Sequence, residues 1–143
     1  MRSLTKTLLA VAMLIFAPAS LAVVGSSVTA ETPASAIEIA QLPRFCWAQY
    51  RVPGWDGSKD PIKDCGVGMN HYCPGLVGFI RGRSAPNKSR ALYFLKGADG
   101  AIAYTERAVV GYPNCSIRAH VADTRAELNR LLRAYGAKPL EQH

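Results

Sequence analysis

Residues 116–136 read SIRAHVADTRAELNRLLRAYG, and their apolar side chains return every three or four positions. Ile117, Val121, Thr124, Leu128, Leu131, Leu132 and Tyr135 share one face at the 3.6-residue period of an amphipathic helix, a spacing that no half-buried strand has. Pro113 stands before the segment, Asn114 or Ser116 offers a cap, and Gly136 supplies the stop. On a neighbouring face stand Arg118, Arg125 and Arg133, with Arg130 nearer the side. That row is a candidate docking stripe for a partner bearing phosphate or carboxylate. Asp123 and Glu127 dilute it, and the plainer reading is a solvated face.

The preceding segments carry the same period. After Pro86, with Asn87 as cap, Ala91, Leu95, Ala98, Ile102, Thr105 and Val109 form a stripe at helical steps. Gly97 and Gly100 interrupt it, each costing about 0.5–1 kcal/mol relative to alanine, so this helix can kink or divide there. An earlier helix should begin between Asn70 and Pro74, because proline is tolerated only in a first turn, and run to about Gly82. Cys73, Leu76, Val77 and Ile80 form its inner face, which points Cys73 inward. The fold class that follows is all-α, a small antiparallel bundle of three or four helices over residues 70–136, with 137–143 as a tail. From 31 to 69, closely spaced prolines and glycines exclude any long element and read as an ordered, loop-rich region.

The first 30 residues read as a secretion signal. Arg2 and Lys6 give a positive start, Leu8 to Phe16 is an apolar run too short to span a bilayer with margin, and Pro18 ends it. Ser20-Leu21-Ala22 and Val28-Thr29-Ala30 place small residues where a signal peptidase needs them, so cleavage is expected after Ala22 or Ala30. An uncleaved anchor is the competing reading. Processing leaves a single small domain with no membrane span, periplasmic or secreted. The 17 Lys and Arg against 10 Asp and Glu make the chain +7, and removing Arg2 and Lys6 leaves about +5. A modest excess of this kind suits an acidic partner and equally an ordinary soluble surface.

Export governs how the cysteines are read. Cys46, Cys65, Cys73 and Cys115 are even in number and lack any Cys-x-x-Cys pair, which favours two disulfides over zinc or a redox motif. If consecutive helices pack antiparallel, the start of the first, the end of the second and the start of the third share one end of the bundle. Cys115 should then pair with Cys65 or Cys73. The inward-facing Cys73 inclines the reading to Cys46–Cys73 with Cys65–Cys115, over Cys46–Cys65 with Cys73–Cys115. His71 and His120 belong to the same end, and a His/Cys metal site there is the outside possibility. No cofactor is otherwise implied.

Ala101, Ala108 and Pro113 stand at the spacing of the two small residues and the closing proline in the second helix of a tetratricopeptide repeat, which this part of the chain resembles. Tyr104 is one position from where the repeat's large aromatic would be, and Ser89 and Leu92 suit its first helix, whereas Ala85 and Lys88 do not. The resemblance covers about a third of the chain and implies a binding scaffold. The function read from all this is a small, non-catalytic exported adaptor for an envelope protein or peptide. The alternative is a binder of an anionic or sugar-bearing envelope polymer through Trp47, Trp55 and the arginines, since aromatics between cations stack sugars or bases. Nothing in the chain presents paired carboxylates, a nucleophile elbow or a phosphate loop.

Overall fold

The computed structural model describes residues 33–50, 52 and 64–141. The signal segment, Trp55 and the rest of 53–63 lie outside them. The described residues are helical and contain no strand, so the chain is all-α. Four α-helices follow in order: α1 (Ala36–Gln41), α2 (Tyr72–Arg83), α3 (Lys88–Val110) and α4 (Arg118–Ala134). Among the described residues, no helix is long and apolar enough to cross a membrane.

The loop-rich region is more regular than its prolines and glycines imply. Ser35 and Glu38 close a reciprocal capping box, with the Glu38 N–H donating to Ser35 Oγ at 3.3 Å and the Ser35 N–H to Glu38 Oε2 at 2.7 Å. This box starts α1. A 3-10 helix follows at Arg44–Tyr50, and a second, Val67–His71, leads directly into α2. Asn70 lies inside that second turn and caps nothing, while Pro74 falls in the first turn of α2, where its missing N–H costs little.

Packing explains why α3 is unbroken despite Gly97 and Gly100. The six residues of its expected stripe, Ala91 through Val109, are all buried, and both α2 and α4 pack against the helix. Both glycines face outward, away from that packing, so the helix runs through them as one 23-residue element. Against α2, Gly75 lies beside Ala101 and Ile102, Gly78 beside Ala98, and Gly82 beside Leu95. One series rises as the other falls, so α2 and α3 are antiparallel. The contact is close because these three positions lack a Cβ.

α4 returns antiparallel to α3 and also meets α2, through Tyr72 with His120 and Thr124 and through Arg83 with Glu127. It starts later than expected. Neither Asn114 nor Ser116 caps it: a turn in which the Cys115 N–H donates to the Tyr112 carbonyl at 3.0 Å, followed by Arg118 N–H to the Cys115 carbonyl at 3.2 Å, moves the N-cap to Ile117. Gly136, at φ +77°, ends the helix as a left-handed residue should. The core between the helices is a single cluster that includes Met69, Tyr72, Leu76, Leu95, Ile102, Val121, Leu128 and Leu132. Burying each large aliphatic side chain contributes about 1.5–3 kcal/mol.

Two disulfides close the structure. Cys46 is bonded to Cys73 and Cys65 to Cys115, with no free cysteine. Closing loops of 27 and 50 residues contributes about 3–4 kcal/mol each in the chain-entropy account.

Candidate functional site

The Cys65–Cys115 bond draws the start of α2, the end of α3 and the start of α4 to one end of the molecule. Tyr72 is fully buried there. Its hydroxyl lies 2.5 Å from His120 Nδ1, 2.9 Å from Thr124 Oγ1 and 3.1 Å from the His120 carbonyl, to which Thr124 also donates at 2.8 Å. Phe45 stacks on Tyr72 and meets the His120 ring edge-on, with centroids 6.3 and 5.3 Å apart. Burial disfavours both charged forms: it raises the Tyr72 phenol well above its usual range and lowers His120, partly offset by Asp123. The pair is therefore a neutral phenol beside a neutral imidazole, a polar lock between α2 and α4.

His71 stands on the other side of this end, its ring 4.6 Å from that of Tyr104. The two histidines thus have separate aromatic partners, and the four cysteine sulfurs are bonded to one another and offer no thiolate. Among the described residues, no three His, Cys, Asp or Glu side chains are placed to hold a metal.

Of the arginine row on α4, one member has to be removed. Arg125 is 2% exposed. It reaches Asp99 and Glu106 of α3, donating to Glu106 Oε2 from Nε at 2.6 Å and to Asp99 Oδ1 from Nη1. Asp99, itself buried, also accepts from the Leu140 N–H at 2.9 Å and so fastens the tail. The guanidinium is committed to the buried Asp99 and the partly buried Glu106, and it cannot dock a partner. Arg118 and Arg133 do remain exposed. Arg118 borders a shallow cleft of about 150 Å³ with Val109 and Val121, and Arg133 one of about 460 Å³ beside Lys138 and Leu140. They lie toward opposite ends of α4, so the expected stripe is two separate cations.

The aromatic cluster is also divided. Trp47 is half-buried, donates from Nε1 to the Ile39 carbonyl at 3.1 Å, and carries the Arg44 guanidinium 5.7 Å above its ring. It holds α1 in place. Trp55 lies outside the described residues. Near α1, Arg81 is 5% exposed and forms a bidentate pair with Glu38 at 2.6 and 3.1 Å, which holds the Glu38 carboxyl down to about 2. The Phe94 ring lies between the Arg81 and Arg90 guanidiniums, at 6.0 and 5.0 Å.

The surface that sequence reasoning missed is the outer face of α3. Tyr93, Lys96, Gly97, Gly100, Tyr104 and Arg107 are exposed along it, with Tyr93 and Tyr104 at 49% and 45%. A Cβ placed on Gly97 or Gly100 would find nothing within 4 Å. The signal was present as the two glycines, which fall on the arc opposite the apolar stripe. Chemically this face is a flat aromatic and cationic surface suited to binding. Compared with known proteins, the chain matches no family model, no curated protein and no solved structure.

Proposed function

We propose that the chain is an exported, disulfide-stapled helical adaptor that binds an envelope protein or peptide in the periplasm or outside the cell. The observation that carries this is the outer face of α3, where two exposed tyrosines stand over a stretch of bare helix backbone. Support comes from the leader pattern of the first 30 residues and from the two buried disulfides, which are compatible with an oxidising compartment. The tetratricopeptide-like spacing of Ala101, Ala108 and Pro113 belongs to the same proposal. A close α2–α3 hairpin beside an open helix face is what such a scaffold requires.

The second reading, an anionic or sugar-bearing polymer as ligand, is favoured by the half-buried Trp47 under Arg44 and by the exposed Arg118 and Arg133. Tagged mature protein, its N-terminus at Val23 or Glu31 by mass spectrometry, is used to capture partners from its own envelope fraction. Tyr93→Ala with Tyr104→Ala should abolish a protein capture that Arg118→Ala with Arg133→Ala leaves intact. The reverse outcome supports the polymer, and an intact Met1 chain retained in the membrane overturns export.

A further inference from the structure

The outer face of α3 repeats itself. Tyr93 with Lys96 and Tyr104 with Arg107 are each a tyrosine followed three residues later by a cation, and the two pairs are eleven residues apart, about 16 Å along the axis. Gly97 and Gly100 lie between them. Both tyrosines are held: Tyr93 meets Phe94 edge-on with centroids 5.3 Å apart, and Tyr104 rests against His71. Lys96 and Arg107 form no ion pair among the described residues, whereas the acids of α3, Asp99 and Glu106, are turned to α4 and held by Arg125. Among the described residues the face is therefore positive and uncompensated.

Resting on the adaptor reading, we propose that this face docks an acidic α-helix of another protein, laid along α3 over Gly97 and Gly100. Carboxylates three turns apart on the partner meet Lys96 and Arg107, and its small or apolar residues pack between Tyr93 and Tyr104. Charge selects this occupant. A second copy of the chain would bring Lys96 onto Lys96 in a parallel docking, or onto Arg107 in an antiparallel one, and like charges repel in both. The missing Cβ atoms matter only to a partner that approaches to backbone distance, as a crossing helix does and a hydrated polyanion does not.

The test is an amide-shift titration by NMR of the oxidised mature protein. The probes are two alanine-rich helical peptides of about 22 residues, one carrying Glu pairs eleven residues apart and one carrying Lys instead, and oligogalacturonate as the polymer. The acidic peptide should move the Tyr93–Arg107 amides. Lys96→Glu with Arg107→Glu, or about 0.5 M salt, should weaken it about tenfold or more, and Gly97→Leu should block it while the far-ultraviolet circular dichroism stays unchanged. No shift at about 1 mM peptide, equal shifts from the Lys peptide, or indifference to Gly97→Leu overturns the acidic helix. If oligogalacturonate alone moves these amides, the face still binds and only the helix is wrong. If no probe moves them, and Tyr93→Ala with Tyr104→Ala captures as wild type does, the adaptor reading falls as well.

Discussion

Gly75, Gly78 and Gly82 on α2 and Gly97 and Gly100 on α3 are the same residue in the same kind of element. A Cβ on the first three would lie 3.0, 3.4 and 2.5 Å from atoms of α3, whereas one on either of the last two would have nothing within 4 Å. On the inward side, glycine removes volume so that two helices can approach. On the outward side it weakens the helix and returns no contact among the described residues. The contrast teaches that a helical glycine is read through its neighbours, and the proposed docked helix would be the neighbour that Gly97 and Gly100 lack among the described residues.

The inward side of α3 should be the more sensitive to change. Arg125→Ala strips the guanidinium that pairs with buried Asp99 and reaches Glu106, and stability should fall by about 3–5 kcal/mol in denaturant titrations. Arg125→Met should not restore it while Asp99 stays ionised. On the α2 side, Gly75→Leu drives a side chain into Ala101 and Ile102 and should cost about 1–3 kcal/mol or more. Gly82→Ala should also destabilise, since its Cβ would lie 2.5 and 2.6 Å from Cδ2 and Cγ of the fully buried Leu95, but by less than the larger Gly75→Leu. On the outward side the sign should reverse: Gly97→Ala and Gly100→Ala should each stabilise by about 0.5–1 kcal/mol and raise the melting temperature. Destabilisation by either substitution would erase the contrast.

Acid should act on the flanking elements and leave both glycine sets alone. The Arg81 pair depresses Glu38 from 4.5 to about 2, so its contribution is complete above pH 4.5 and lost as pH falls toward 2. Glu38→Gln should flatten the stability profile across that window. Burial holds His120 below its usual 6.5, so the neutral ring favours the fold and stability should start to fall as pH drops below 6.5. His120→Gln should remove that smaller step.

The helices of residues 70–136 were legible because apolar period reports burial directly: all six stripe residues of α3 are buried, and Leu128 and Leu132 of α4 are fully so. Caps were less legible. Asn87 caps α3 as its position implies, yet Asn114 and Ser116 lost to a turn set by the Cys65–Cys115 bond, a constraint 50 residues long that no local pattern contains. Ser35 and Glu38 form a capping box that was readable in a stretch whose prolines and glycines point to an ordered, loop-rich region. Arg125 is buried although its charge points to the surface, because Asp99 and Glu106 meet it inside. Asp99 and Glu106, seven residues apart on one face of α3, were the available signal that an arginine of the next helix would be drawn in between them.

The two disulfides overlap along the chain, since 65 falls between 46 and 73, and 73 falls between 65 and 115. Every peptide bond from Cys46 to Cys115 is therefore spanned by at least one bridge. A protease that cuts once anywhere in that interval, the 53–63 segment included, leaves two fragments in one covalent molecule. The alternative pairing, Cys46–Cys65 with Cys73–Cys115, would leave the stretch between Cys65 and Cys73 unspanned, so a single cut there would release the N-terminal piece. Interlaced bridges therefore give a domain this small tolerance to a single nick.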